Sequence, residues 1–391
     1  MESKINSLVR IAGEAKFVIF HDGEKVLKAH FIATAPVRGF EKLAIGKHPF
    51  LLIEAAMRIC GVCHAAHGIC CCEALEHALG LAPPFTGRLL REAIGLLNRV
   101  QSHLFVIALI LKDVFEGKEL QKELLIKTIQ NLEKVNRVLT RLGGAPTHPP
   151  YLTIGGVLRP PTPQVIKFMK DNLTAVLSDF QKIKELHFDE DKWSEKVKRL
   201  AEVKLTPKFL ASHPFYGDRY NVNPTQVKVL VYDEYRPDAK EIGKESSACI
   251  AKYGNDFVEV GPRARLVVYR DFNDYRLIGV HLARILEVEL CLERTLEIID
   301  TLDIKEPVRA PELTFHEGKG VGVYEAPRGT LFHFVELDSM GRVKNFKVVV
   351  PTMFNIPIIE KAAEQLPPDL APLVARIYDP CIPCATHFIR V

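Results

Sequence analysis

Two stretches near opposite ends of this chain carry residues whose types and spacing can do chemistry. The first is Arg58-Ile59-Cys60-Gly61-Val62-Cys63-His64-Ala65-Ala66-His67, and the second is Asp379-Pro380-Cys381-Ile382-Pro383-Cys384-Ala385-Thr386-His387. Each is a C-x-x-C followed by a histidine. A C-x-x-C loop turns two thiolates toward one point, so two such loops supply four, a ligand set for a soft or borderline transition metal. Three chemistries share the pattern: a structural zinc site, a redox dithiol and a catalytic metal centre. Structural zinc pairs staple small domains and lie roughly a few tens of residues apart. Here more than 300 residues intervene, in a chain long enough to have its own core. That separation favours a centre where the fold converges on chemistry.

The 391 residues are 47% hydrophobic and 26% charged, an ordinary globular composition with material for a sizeable core. A net charge of +4 is too small to argue for a nucleic-acid partner. The strongest apolar run, Leu104 to Leu111, is short and ends in Lys112-Asp113, so no membrane span is expected, and the N-terminus lacks a signal-peptide pattern. Nine cysteines without a secretory signal point to a reducing, cytoplasmic compartment. Cys60, Cys63, Cys70, Cys71 and Cys72 crowd together, which argues against a disulfide framework.

The elements that must position these residues follow from pattern. Phe17 to Phe20 and Val26 to Ala33 flank Asp22-Gly23, so residues 8–35 read as a β-hairpin. A helix beginning near Cys63 runs to Gly80, its C-terminal stop. It places Cys63 at a helix N-terminus, where the dipole and free amides stabilise a thiolate. His67 then lies one turn along the same face, within reach of a thiolate or metal-bound ligand. Cys70, Cys71 and Cys72 fan around the helix and read as small buried residues. Residues 86–142 are helical with a break near Gly117, and Leu89, Leu90, Ala93, Leu96, Leu97 and Val100 form one apolar stripe. Residues 162–203 are a more charged, peripheral helical stretch. Val227, Val229 and Val231 alternate like a half-buried strand, and 275–303 form a long core helix. Cys249 and Cys291 have no partner spacing and read as structural. Gly322 to Tyr324, Thr330 to Glu336 and Val343 to Val350 are short strands, with Asp338 to Gly341 a turn, and a last helix spans about 357–376. The fold class is α+β, mostly α: a central bundle of long helices with small β regions near both termini. Length alone allows two or three domains. With no repeat or linker, the expectation is one domain over 1–391, with a β region at about 8–35, a helical core at about 50–310, and a β region with the second metal motif at about 320–391.

The paired motifs R-x-C-G-x-C-x-x-x-H and D-P-C-x-x-C-x-x-H resemble the large subunit of nickel-iron hydrogenases. Further matches run between them: Arg38-Gly39-Phe40-Glu41 to R-G-x-E, Val260 to Arg265 to V-G-P-x-A-R, Glu325 to Gly329 to E-A-P-R-G, and Val350 to Asn355 to V-P-[ST]-x-W-N, with Phe354 in place of Trp. The resemblance covers essentially the whole chain and implies reversible heterolytic cleavage of hydrogen. It implies that Cys60 and Cys381 are terminal nickel ligands, and that Cys63 and Cys384 bridge nickel to an iron carrying carbon monoxide and cyanide. Glu41 and His387 would hold magnesium or another divalent cation. Arg328 is the leading group over the open metal position, where its guanidinium can hold charge and bond a cyanide. Thr352 would donate to the other cyanide, and Asp379 would fix Arg328, with Asp113 a second candidate for that task. His333 reads as structural.

Arg10-Ile11-Ala12-Gly13-Glu14 departs from the family's R-I-E-G-H, because Ala12 stands where the family has a proton-passing Glu. Glu14, two residues along an extended segment, is the candidate substitute. No cysteine set remains for an iron-sulfur cluster, so an iron-sulfur small subunit is implied. The run Pro36 to Lys47 looks most like cytoplasmic enzymes that reduce a deazaflavin coenzyme, with nicotinamide reducers next, which implies a flavin-binding subunit. Nickel-insertion proteins and a maturation protease are implied too. The protease would cut after His387, making Phe388 to Val391 a precursor tail. The alternatives are a cysteine-retaining relative of the quinone-site subunit of respiratory complex I and a zinc-stapled structural subunit.

Overall fold

Asp22-Gly23 turns the chain as its residue types dictate, with Gly23 at φ 105°. In the computed structural model, which describes residues 2–386, β2 (Ala15–His21) and β3 (Val26–Ala33) pair antiparallel across this turn. A further strand, β1 (Glu2–Ser7), pairs with β2 to make a three-stranded sheet. The expected hairpin over 8–35 is therefore a sheet that starts earlier, and residues 8–14 form its first loop. β1 is almost wholly exposed and reads Glu-Ser-Lys-Ile-Asn-Ser, so it has no apolar alternation to reveal it.

Short helices α1 (Phe40–Ala44) and α2 (Pro49–Met57) lead to α3 (His64–Ala78), whose N-cap is Cys63. The long helices α4 (Phe85–Val114) and α5 (Lys118–Gly143) are antiparallel neighbours broken at Gly117, φ 87°. α4 is long and apolar enough to cross a membrane by length and composition, which the sequence reading did not expect. Yet 83% of its most apolar window is buried in the bundle, the position of a core helix. After the two-residue strands β4 (Leu152–Thr153) and β5 (Gly156–Val157), the expected helix over 162–203 is split. α6 (Pro163–Phe188) ends and α7 (Glu195–Ala201) follows, because Trp193 turns inward, buried, and donates to His187 O at 2.9 Å. Short pieces follow: β6 (Lys208–Phe209), β7 (Val227–Leu230), α8 (Tyr232–Tyr235), α9 (Lys240–Gly243), β8 (Ile250–Tyr253) and β9 (Val258–Glu259). α10 (Pro262–Tyr269) and the core helix α11 (Gly279–Thr301) complete the bundle.

The C-terminal sheet is β10 (Gly318–Ala326), β11 (Gly329–Leu337) and β12 (Val343–Val349), antiparallel in that order. The expected last helix is two helices. α12 (Pro351–Ala363) starts earlier, with Pro351 at its first turn, and α13 (Ala371–Tyr378) follows a break at Pro367-Pro368. A single turn, α14 (Ile382–Ala385), carries the second cysteine motif. His387 and the tail Phe388 to Val391 lie outside the described residues.

β10 lies directly on α3 because it has no side chains at the contact. A Cβ on Gly318, Gly320 or Gly322 would sit 2.0, 2.0 and 2.1 Å from the carbonyl oxygens of Ala78, Ala74 and Cys70. This backbone-to-backbone packing brings the β10–β11 hairpin over the start of α3, where the first cysteine motif lies. Gly322→Ala is therefore expected to destabilise the chain by roughly 1–3 kcal/mol, by forcing sheet and helix apart. Chemical denaturation at equilibrium measures it, and an unchanged midpoint would show that the contact yields freely.

Candidate metal centre

The sulfurs of Cys60, Cys63, Cys381 and Cys384 all lie within 4.8 Å of one another and are buried. Cys60 Sγ is 3.3 Å from Cys381 Sγ, Cys63 Sγ is 3.3 Å from Cys384 Sγ, and Cys381 and Cys384 are 3.0 Å apart. These separations are far beyond a disulfide bond, and all nine cysteines are free thiols.

Local backbone geometry explains the convergence. Cys63 caps α3 and Cys381 caps α14, so both motifs point a helix N-terminus at the cluster. The Val62 and Cys63 amides donate to Cys60 Sγ at 3.3 and 3.4 Å. The second motif is threaded in by the Ala12 backbone, which pairs with Cys381 and accepts from Ile382 N at 2.8 Å. Gly13 permits this, since a Cβ there would meet Ile382 and Pro383 at 2.8 Å, and its φ is 100°. Hydrogen bonds from Cys381, then Cys384 and Cys63, hold the Cys60 thiol well below its usual pKa, with Arg328 adding to the effect. Burial, then the neighbouring thiols, pushes Cys384 well above it. Bound divalent metals would let all four sulfurs ionise.

Arg328 stands at the tip of a two-residue hairpin turn, between paired Ala326 and Gly329. Its Nε donates to Asp379 O at 2.8 Å, and Nη2 donates to Asp379 Oδ1 at 3.0 Å. Asp379 can offer both groups because it ends α13 in the left-handed region, φ 53°, a conformation Asp tolerates. Burial works against the Arg328 charge, yet Asp379 and then the cysteine sulfurs hold its pKa well above the ordinary value. Its Nη1 is buried and meets no hydrogen-bond partner among the described residues. A buried donor of this kind fits a ligand held beside the sulfurs.

Thr352 Oγ1 accepts from Cys381 N at 2.9 Å, leaving its own hydrogen to donate. His67 reaches Cys384 Sγ at 3.4 Å through Nε2 and His333 Nε2 at 3.1 Å through Nδ1. His333 therefore belongs to the surroundings of the site. The inward-facing side of buried β11 was the available signal for it. Glu41 Oε1 accepts from Val348 N at 2.7 Å, and its expected companion His387 is not among the described residues.

Two expected residues lie elsewhere. Glu14 is exposed, because Gly13 breaks the extended alternation that would have put it on the side of Ala12. Asp113 does not hold Arg328. It accepts from Arg10 Nη2 at 2.9 Å and Arg376 Nε at 2.9 Å, tying the first loop to α13. Cys70, Cys71 and Cys72 are buried apart from the cluster, and burial pushes Cys72 up to about 12.

Sequence reasoning also missed the support behind Arg328. Buried Arg265 donates to Ala326 O at 2.9 Å, Pro327 O at 3.1 Å and Glu325 Oε2 at 3.0 Å, and pairs with Glu287. The V-G-P-x-A-R stretch marked its place in the chain, but its partners lie 22 to 62 residues away.

Comparison with known proteins gives the same picture. The model of the nickel-dependent hydrogenase family matches residues 38–107 and 274–387. The coenzyme F420 hydrogenase subunit alpha of Methanocaldococcus jannaschii is 35% identical over 99% of this chain and 94% of its own length. The sulfhydrogenase 1 subunit alpha of Pyrococcus furiosus is 27% identical, over 99% and 98%. The structure of the Ni-Fe-Se hydrogenase from D. vulgaris Hildenborough superposes with a TM-score of 0.86 at 21% identity, covering 99% of this chain and all of that one.

Proposed function

Because this chain belongs to the nickel-dependent hydrogenase family, as the large subunit of a nickel-iron enzyme, we propose how its residues divide the work. Cys60 and Cys381 would hold nickel, and Cys63 and Cys384 would hold nickel and iron, the iron with carbon monoxide and cyanide. The observation that carries this reading is the gathering of four buried sulfurs from opposite ends of the chain beside a buried arginine nitrogen with no hydrogen-bond partner among the described residues. Such a pair of metals supplies a Lewis-acidic, redox-active site for heterolytic cleavage of hydrogen.

The chain's own residues orient and exclude. Arg328, braced by Asp379 and Arg265, holds a positive charge over the sulfurs in a pocket too buried for bulk water to screen it. Thr352 positions Cys381 through its amide and keeps a hydroxyl hydrogen for a cyanide nitrogen. Ala12 carries no proton and Glu14 is exposed, which leaves His67, on Cys384, as the side chain bonded to a cysteine sulfur from outside the set among the described residues. Glu41, with His387, would take magnesium or another divalent cation.

Electrons leave to an iron-sulfur small subunit. Relatives named for coenzyme F420 support a deazaflavin coenzyme as the acceptor, reached through a flavin-binding subunit in a cytoplasmic complex, with the whole chain acting as one domain. Nickel-insertion proteins and a maturation protease acting after His387 complete the proposed partners. The isolated complex under hydrogen should bleach a deazaflavin coenzyme and leave a nicotinamide unreduced. Nicotinamide reduction would overturn the acceptor, and a failure to take up hydrogen with any dye would overturn the function.

A further inference from the structure

Arg38 lies half-buried between β3 and α1 and is bonded to both cysteine motifs. Its Nη2 donates to two carbonyls: that of Ile59, the residue before Cys60, and that of Pro383, the residue before Cys384. Its backbone N–H donates to Thr386 O at 3.0 Å. The guanidinium lies 5.0 Å from the centre of the Phe40 ring, which restricts its orientation. Gly39, left-handed at φ 64°, then turns the chain sharply into α1.

One neighbouring side-chain contact also crosses between the motifs, from His67 Nε2 to Cys384 Sγ at 3.4 Å, and the others each serve one motif. Thr352 accepts from Cys381 N at 2.9 Å, and Asn98 donates to Val62 O at 2.9 Å. The Ala12 bridge joins the second motif to the N-terminal loop. Cys60 Sγ meets Cys381 Sγ and Cys63 Sγ meets Cys384 Sγ, each at 3.3 Å, and these contacts require the backbones of the two motifs to be held in register. A charged donor shared by a carbonyl from each motif supplies that register.

We propose that Arg38 is the positioning residue that clamps the two cysteine pairs into one centre, closing the C-terminal pair over the N-terminal pair before any metal is bound. Arg38 touches no sulfur and acts through the backbone of Ile59, Pro383 and Thr386. The consequence for nickel rests on the reading of the four cysteines as its ligands. The clamp itself does not.

The test uses the full chain produced without nickel, reduced and then treated with diamide, with disulfides mapped by mass spectrometry. The readout is the ratio of cross-motif pairs, Cys60–Cys381 and Cys63–Cys384, to within-motif pairs. Arg38→Gln is expected to lower this ratio about tenfold, the effect of losing roughly one charge-assisted hydrogen bond. Arg38→Lys should recover part of it, since an ammonium can still serve two carbonyls. If Arg38→Gln fails to fold, Arg38→Met keeps the stem against Phe40 and removes the donors, and its ratio decides. In the assembled enzyme the same variants should lose nickel in the same order. A wild-type ratio in both Arg38→Gln and Arg38→Met overturns the clamp. A lowered ratio in a chain whose wild-type form takes up no nickel supports the clamp and overturns the ligand reading instead.

Discussion

Lysine in place of Arg328 is expected to leave nickel and iron bound while hydrogen turnover falls by about a hundredfold. The reason is the use made of each guanidinium nitrogen. Nε and Nη2 are taken up by the carbonyl and carboxylate of Asp379, and Nη1 is buried and meets no hydrogen-bond partner among the described residues. An ammonium keeps the charge but cannot hold Asp379 in a planar fork and present a third donor in a fixed direction. The metals depend on the sulfurs and should stay. Metal analysis with dye-linked hydrogen uptake on one preparation separates the two effects. Full turnover in Arg328→Lys would remove this residue from the mechanism, and loss of both metals would make it a structural brace.

Serine in place of Cys384 should abolish the centre altogether. A hydroxyl is a hard ligand that does not ionise near neutral pH, so nickel and iron lose a shared anchor. Cys384 also meets three groups at once, Cys63 at 3.3 Å, Cys381 at 3.0 Å and His67 at 3.4 Å. Hydrogen turnover should drop at least about 10⁴-fold, the scale for losing a group on which the whole site depends. Cys72→Ser is the matched control. Its sulfur is equally buried but lies outside the cluster, so that variant should keep its metals. Near-normal nickel and turnover in Cys384→Ser would break the four-cysteine account.

The cysteine motifs were legible because a C-x-x-C is local: both sulfurs sit on one turn, and a helix N-terminus follows. The long helices were legible for a similar reason, since α4 and α5 carry a periodic apolar face and a Gly117 break. What escaped depends on distance in the chain. Arg265 meets carbonyls 61 and 62 residues on, and Asp113 meets Arg10 and Arg376 from 103 and 263 residues away. No window of sequence contains such pairs. Glu14 was misplaced by a single glycine, because a positive φ at Gly13 cancels the alternation on which the placement relied. The split of the last helix was visible in Pro367-Pro368, where two consecutive prolines remove two helix donors.

The central claim is that four cysteines from opposite ends of one chain hold nickel and iron together. It is tested most directly by anomalous diffraction from crystals of the assembled enzyme, collected on either side of the nickel and iron absorption edges. One nickel and one iron should appear among the sulfurs of Cys60, Cys63, Cys381 and Cys384, with Arg328 Nη1 directed toward them. A single zinc ion equidistant from the four sulfurs, with no nickel signal, would contradict the account.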